Sequence, residues 1–397
     1  MSRDDLTARL DAEIDAHHDE LVALSRRIHA RPEPAFAEHD AAAAVADALE
    51  RGGYVVTRGA YGLPTAVEGV AGHGSLRVVL CAEYDALPEI GHGCGHNLIA
   101  TASVGAGLAL AALADELDLT VVVLGTPAEE HGGGKTVLLE RGAWLGAHLS
   151  LMMHPVVADD DVRCENVVMQ AVARYAVDFT GRASHAAAAP ELGVNAGDAA
   201  ALSQVAIGLL RQQLPDAVRV NAIVVDGGTV TNIIPERSRL LTEVRSPRIG
   251  ELEDVAARVR ACFEGAALAT GCRVQLELTE PVYEEVTQDA VLAAAWDRSV
   301  ERVRGEAPVA RTHAGGSTDM GNVSAVVPSI HPYLSIRGNT AVPHSAAFAA
   351  VAGSAAGERT ALEGAKALAD TVRRIAGDAG ARRDLEERRR RREAGAG

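Results

Sequence analysis

Aromatic side chains are scarce in this chain. Only 3% of its 397 residues are Phe, Trp or Tyr, so alanine and valine must fill much of any core that the 48% hydrophobic content builds. Basic charge is also in short supply. A formal net charge of −16 leaves no electropositive face for phosphate neutralisation, which excludes nucleic acid as a partner. No apolar run approaches the length of a membrane span, which argues against a membrane partner. The polar N-terminus, Met1-Ser-Arg-Asp-Asp-Leu6, has no apolar signal segment. Five scattered cysteines (Cys81, Cys94, Cys164, Cys262 and Cys272) make no disulfide framework. These absences point to a cytoplasmic enzyme. The length suggests two domains, or one large domain with an insertion.

What the chain does have is a concentrated set of metal ligands. Glu89 to Asn97 reads Glu-Ile-Gly-His-Gly-Cys-Gly-His-Asn, in which Cys94 and His96 are separated by one glycine. They follow an apolar run, Leu76 to Cys81, that ends in the carboxylates of Glu83-Tyr-Asp85. A thiolate and an imidazole beside a strand end are half of a zinc-type site. Zinc sites ordinarily use paired Cys-x-x-Cys or His-x-x-x-His units, so the other half must come from elsewhere in the chain.

Apolar residues at Leu10, Ile14, Leu21, Leu24 and Ile28 predict a helix from Leu6 to Ile28, and Ala41 to Leu49 starts another. Strand-like runs at Leu76–Cys81, Leu119–Leu124 and Leu149–Met153 alternate with helical segments, chiefly Leu98–Leu117 and Thr136–Arg141. This order implies an α/β domain with a largely parallel sheet, whose strand carboxyl ends hold the ligands. The first run leads to Asp85, Cys94 and His96, the second to Glu129-Glu130, and the third to His154-Pro155. Adjacent side chains in a strand point apart, so the Glu129-Glu130 pair is expected in a turn.

Near Asn166 the pattern changes. Strands at Val172–Thr180, Val218–Val225 and Leu240–Arg245 mix with helices at Ala196–Gln212 and Ile249–Thr270, close to the split βαβ order of ferredoxin-like domains. Residues 167–279 read as an inserted domain. Residues 1–166 and 280–397 form a discontinuous catalytic domain, completed by a helix near Ala290–Val303, the Gly315–Gly321 loop, a strand near Ile330–Ile336 and a helix from Ala355 to Ile375. The tail around Arg388–Arg392 reads as a frayed, solvated charged end.

Two other chemistries fail on spacing. Gly132-Gly-Gly-Lys-Thr136 lacks the glycine that a phosphate-binding loop needs at position 129, and Lys135 instead opens a helix. Gly315-Gly-Ser317-Thr-Asp319 breaks the Gly-x-Ser-x-Gly pattern of serine hydrolases. Ser317 to Asp319 either shape a substrate pocket, support a metal ligand or form a structural turn.

Eight stretches in order resemble the M20 family of metallopeptidases and amidohydrolases, in particular its aminobenzoyl-glutamate hydrolase and dipeptidase-like subgroup. They are Glu83-Tyr-Asp-Ala-Leu-Pro, Gly91-His-Gly-Cys-Gly-His-Asn, Gly125-Thr-Pro-Ala-Glu-Glu, Met153-His-Pro, Ser184-His-Ala, Asn232-Ile-Ile-Pro-Glu, Gly316-Ser-Thr-Asp-Met-Gly-Asn and Pro343-His-Ser. The resemblance implies a zinc-exopeptidase-like α/β catalytic domain with an inserted ferredoxin-like lid and dimerisation domain. It implies Cys94 as a shared metal ligand, with His96, Glu130, His154 and His344 as further ligands. Glu129 takes the place of the general base, and Asp85 that of a carboxylate orienting a ligand. His185 matches a residue that reaches a neighbouring subunit's site in a homodimer. Asn232 and Arg245 match substrate contacts, and Ser317 is a further candidate. Two divalent ions are implied, zinc by the softness of the donors, with manganese or cobalt as substitutes.

The chain also departs from the pattern. Many members carry His-x-Asp where Glu83-Tyr-Asp85 stands, so one imidazole is missing and Cys94 and His96 must compensate. Asn97 stands where the auxin-conjugate type of amidohydrolase has aspartate, as in the aminobenzoyl-glutamate and dipeptidase-like group, and Ser345 replaces a commoner threonine. The implied activity is hydrolysis of an amide bond in a dipeptide or an N-aminoacyl or N-acyl amino acid, aminobenzoyl-glutamate included. The alternative is an inactive scaffold that keeps the fold and the metal.

Overall fold

The computed structural model describes residues 3–314 and 316–395. Met1, Ser2, Gly315, Ala396 and Gly397 lie outside the described residues, and with them the first residues of the N-terminal segment, one glycine of the 315–321 loop and the end of the tail. Two compact units emerge, Met1–Val168 with Val286–Gly397, and Met169–Glu285. The smaller unit runs past residue 279 because the main chains of Val172 and Tyr283 pair, at 2.9 and 3.0 Å.

Along the first segment come β1 (Val55–Arg58), β2 (Val67–Ala71), β3 (Leu76–Glu83), β4 (Leu119–Thr126), β5 (Leu149–Leu151), β6 (His154–Val156) and β7 (Val167–Val168). The smaller unit holds β8 (Ala171–Thr180), β9 (Arg219–Asp226), β10 (Arg237–Ser246) and β11 (Arg273–Leu278). The return segment adds β12 (His313–Ala314), β13 (Ser329–Ile330) and β14 (Tyr333–Ser335).

In the larger unit, six strands form one sheet in the order β1-β2-β4-β3-β5-β13. Its centre, β4-β3-β5-β13, is parallel, and β2 joins antiparallel. β3 and β4 are near-continuous apolar runs because both of their faces are covered. Val78, Leu80 and Ala82 of β3 enter one apolar cluster with Val121 and Val123 of β4, while Val79, Cys81, Val122 and Leu124 enter another across the sheet. Helices from 3–30, 96–112, 290–304 and 355–376 pack on the first face, and those from 134–140 and 320–326 on the second. Leucine and alanine fill most of the first cluster, in keeping with the shortage of aromatics.

Four sequence expectations need revision here. The helix expected from Leu6 to Ile28 is two helices, Arg3–Ala16 and His18–Ala30. At the break, Nδ1 of His17 lies 2.9 Å from the carbonyl of Glu13, a side-chain bond that competes with the helical ladder. The strand expected over Leu149–Met153 ends at Leu151, and the one expected near Ile330–Ile336 is split in two. β5 and β13 pair within the main sheet, and β6 and β14 then pair as a separate parallel ribbon, His154 opposite Tyr333. The Ala355–Ala376 helix is not the last, because the charged tail is itself the helix Ala379–Gly395. Asp378 caps it, accepting from Gly380 and Ala381 N–H, and Leu385 buries beneath it. Ion pairs one turn apart, such as Arg388–Asp384 and Arg390–Glu386, neutralise the charge run that suggested fraying.

The smaller unit follows the strand-helix-strand-strand-helix-strand order, with strands arranged β11-β8-β10-β9, all antiparallel. β10 alternates exposed and buried residues, so only one sheet face is apolar. Helices Ala196–Leu210 and Ile249–Thr270 cover it, and the rings of Phe179 and Phe263 meet at 6.3 Å in that core. Among the described residues, no helix is long and apolar enough to cross a membrane.

Candidate active site

Three strand ends build the site in the larger unit. β3 stops at Glu83, and Tyr84 and Asp85 follow, all fully buried. Beyond Asp85 the chain turns to Cys94 and enters the helix His96–Ala112. Gly95 adopts φ 77°, and a Cβ there would meet Cγ of Pro155 at 2.8 Å. A glycine is therefore required for Cys94 and His96 to converge. β4 ends at Thr126, and the Glu129-Glu130 pair falls in the expected turn, entered through Ala128 at φ 61°. His344 comes from the loop before the helix Ala346–Ala352 and is itself left-handed, at φ 60°. Its N–H is held by the Gly93 carbonyl at 2.9 Å. Such backbone costs about 1–3 kcal/mol and persists where the surroundings enforce it.

The side chains gather tightly. Nε2 of His344 is 3.0 Å from Sγ of Cys94 and 3.7 Å from Oε2 of Glu130. The ring of His154 stands edge-on to that of His96, centroids 5.9 Å apart. Nδ1 of His154 donates to the Pro155 carbonyl at 2.9 Å, which leaves Nε2 for another partner. Asp85 joins two of these groups: Oδ1 is 2.9 Å from Nδ1 of His96, and Oδ2 accepts the Glu130 N–H at 3.0 Å. Three donor triplets have ligand atoms within 4.8 Å of one another: Cys94/His96/His154, Cys94/Glu130/His344 and Glu83/His96/Glu129. Cys94 belongs to two of them.

Burial disturbs the ionisation of this cluster. It raises the Cys94 thiol well above its ordinary value, with Glu130 adding to the effect. It raises Glu130 to about 7 against the pull of His96, and it raises Glu129, with Glu83 adding repulsion. It depresses His154 to about 4, and His96 pushes in the same direction. Burial thus favours the protonated thiol and carboxyl groups and the neutral imidazole. A divalent cation would reverse the first two and suits the third. Nε2 of His96 and Oε1 of Glu130 are buried and make no hydrogen bond to a described residue. The residues fit a metal.

In the smaller unit, His185 and Asn232 are neighbours on adjoining loops. Ala186 N–H donates to the Asn232 carbonyl at 3.0 Å, and His185 bridges to Ile233. His185 is exposed, and its Nδ1 accepts from Ala187 and Ala188 N–H at 3.2 and 3.0 Å. The proton of the neutral ring is therefore on Nε2. Arg245 is not brought to this pair. It lies on β10 opposite Val172, at the other end of the sheet, with its guanidinium on Glu243 at 2.6 Å. Ser317, in the larger unit, is half-buried two residues before Asp319.

A model of peptidase family M20/M25/M40 matches residues 79–374, which take in every one of these side chains. The chain belongs to that family. This M20 chain is similar to the Xaa-Arg dipeptidase of Mus musculus, 39% identical over 92% of the chain and 88% of the relative. It is also similar to a p-aminobenzoyl-glutamate hydrolase component of Escherichia coli, 31% identical over 67% of the chain and 59% of the relative. Among solved structures, a dinuclear metal-binding M20 peptidase of Bacillus subtilis shares the fold. Its TM-score is 0.68 at 22% identity, covering 91% of this chain and 99% of that one. The protein is a hydrolase acting on carbon–nitrogen bonds.

In the sequence, Glu83 reads as a strand-end carboxylate, Lys135 as a helix opener and Asp319 as part of the Ser317–Asp319 segment. That the three meet in this M20 site is not foreseen there. Glu83, Lys135 and Asp319 have no exposed surface. Nζ of Lys135 lies 2.5 Å from Oε1 of Glu83 and 2.7 Å from Oδ1 of Asp319. The N–H of Lys135 also donates to Oδ2 of Asp319 at 2.7 Å. Glu83 and Asp319 stand in recognised stretches, yet no spacing rule links Lys135 to a partner 184 residues away.

Proposed function

We propose that the protein hydrolyses the amide bond of a dipeptide or N-acyl amino acid, with Glu129 as general base. The observation that carries this reading is the sharing of Cys94 between two donor triplets, a donor set that would suit two divalent ions. Cys94, His96, Glu130, His154 and His344 would hold them, zinc by the softness of the set and manganese or cobalt as substitutes. The ions would polarise the scissile carbonyl and acidify the attacking water. Glu129 neighbours this set, with Oε2 3.8 Å from Nε2 of His96. Burial raises its proton affinity, which suits a group that takes the water's proton and passes it to the leaving nitrogen. Asp85 orients His96 through Nδ1 and anchors the main chain of Glu130.

Similarity to the Xaa-Arg dipeptidase puts dipeptides with a basic C-terminal residue first, and aminobenzoyl-glutamate second. Asn232 and Ser317 are the proposed substrate contacts, while Arg245 stands apart from Asn232 at the other end of β10, engaged with Glu243. His185 would donate through Nε2–H to the developing oxyanion of a partner subunit's substrate. A homodimer through the smaller unit is supported by its edge strand: β9 leaves Ile223, Val224 and Val225 exposed, and the Ala196–Leu210 helix exposes Leu202, Val205 and Leu209. All five cysteines are free, in keeping with a cytoplasmic setting.

The test is a hydrolysis screen of zinc-loaded enzyme over dipeptides, N-acyl amino acids and aminobenzoyl-glutamate, with elemental analysis of protein purified without added metal. Amide turnover abolished by chelation is expected. Absence of bound metal together with chelator-insensitive turnover, or turnover confined to esters, would refute the reading.

A further inference from the structure

The three donor triplets cannot all hold ions. His96 belongs to two of them, Cys94/His96/His154 and Glu83/His96/Glu129. Its Nδ1 is committed to Asp85, so only Nε2 is available, and one nitrogen ligates one ion. The two triplets therefore compete. By donor chemistry alone the second is the more attractive to a hard divalent ion, since it is fully buried and carries two carboxylates.

Lys135 resolves the competition. We propose that its ammonium is a resident cation which keeps Glu83 out of the metal ligand set, so that His96 serves the ion beside Cys94 and Glu129 is kept for its work as a base. An ion on the other oxygen of Glu83 would sit across a single carboxylate from Nζ, which is itself 2.5 Å from Oε1. In a site without solvent that repulsion is barely screened. Nor can the ammonium withdraw. Asp319 grips Lys135 at both Nζ and the main-chain N–H, and all three side chains lack exposed surface. Lys135 is thus a positioning residue, acting through Glu83. The inference rests on the ligand set proposed above.

Zinc titrated calorimetrically into apo-protein, with bound zinc counted by elemental analysis, provides the test. In the wild-type background, Glu83→Gln should leave zinc equivalents and affinity within about twofold. In the Lys135→Met background, the same substitution should weaken zinc binding at least tenfold, because Glu83 has become a ligand there. Lys135→Arg, which keeps the charge, should bind zinc as the wild type does. Loss of a zinc equivalent on Glu83→Gln alone would overturn the inference, and so would equal responses in the two backgrounds. If Lys135→Met does not fold, as judged by circular dichroism, the wild-type-background arm decides alone. A wild-type chain that binds no zinc would overturn the ligand set itself, and this inference with it.

Discussion

The two places where this chain gathers chemistry are built in opposite ways. In the larger unit, carboxylates, imidazoles and a thiol meet side chain to side chain at strand ends, most of them buried. In the smaller unit, His185 and Asn232 are exposed, and main-chain hydrogen bonds hold them. Bond hydrolysis needs fixed charges out of water, where each interaction is strong. Contact with an incoming group needs exposure, and here one edge of the imidazole, Nδ1, holds the turn while the other, Nε2, is left to be offered.

That contrast orders the expected effects. The largest belongs to Glu129→Gln, which should lower kcat by about 10²–10⁴-fold. Bound metal should stay near the wild-type level, because a proton acceptor is lost and not a ligand. Cys94→Ala should instead empty the site. Elemental analysis beside kinetics separates them, and equal metal loss in both variants would break the division of labour.

His185→Ala comes next. Removing an oxyanion donor costs about 10²–10³ in kcat. The substitution also removes the acceptor of the Ala187 and Ala188 N–H groups, so stability should fall by no more than about 0.5–1.5 kcal/mol while metal content stays unchanged. Mixing His185→Ala with Glu129→Gln chains sharpens this further. If His185 acts in a partner's site, each heterodimer regains one complete site and activity returns. No recovery despite proven subunit exchange would confine His185 to its own chain.

The smallest effect tests the scaffold of the smaller unit. Asn195 caps the Ala196–Leu210 helix, accepting from Gly197 and Asp198 N–H. Asn195→Ala should cost about 1 kcal/mol, read from denaturant midpoints. Metal content should not change, and a change would mean that the two units depend on each other more than their separate cores suggest.

Much of this was legible in the sequence. Periodicity marked the principal helices, and the apolar runs of β3 and β4 marked a doubly covered sheet. The residues now gathered around Cys94 were recognisable by motif, although of the proposed metal ligands only Glu130 and His154, and with them Glu129, sit within a few positions of a strand end. What periodicity could not reveal were contacts without local spacing. The Lys135–Asp319 pair is one. The arginine-rich tail is another, since its order comes from Leu385 and from Glu386 reaching His148 at 2.7 Å. Strand breaks at 152–153 and 331–332 were equally hidden inside apolar runs.

Those breaks have a consequence for how the chain can vary. β5 and β13 stop at the same level, and β6 and β14 resume together, so the interruption works as a length gauge for His154. Side chains alternate along a strand, so deleting one residue from 152–153 alone would turn Pro155 toward the position of the imidazole. Matched deletions in both runs would keep the pairing yet draw the imidazole back by one residue. The spacing of this step is therefore under tighter constraint than the identity of the methionines that fill it.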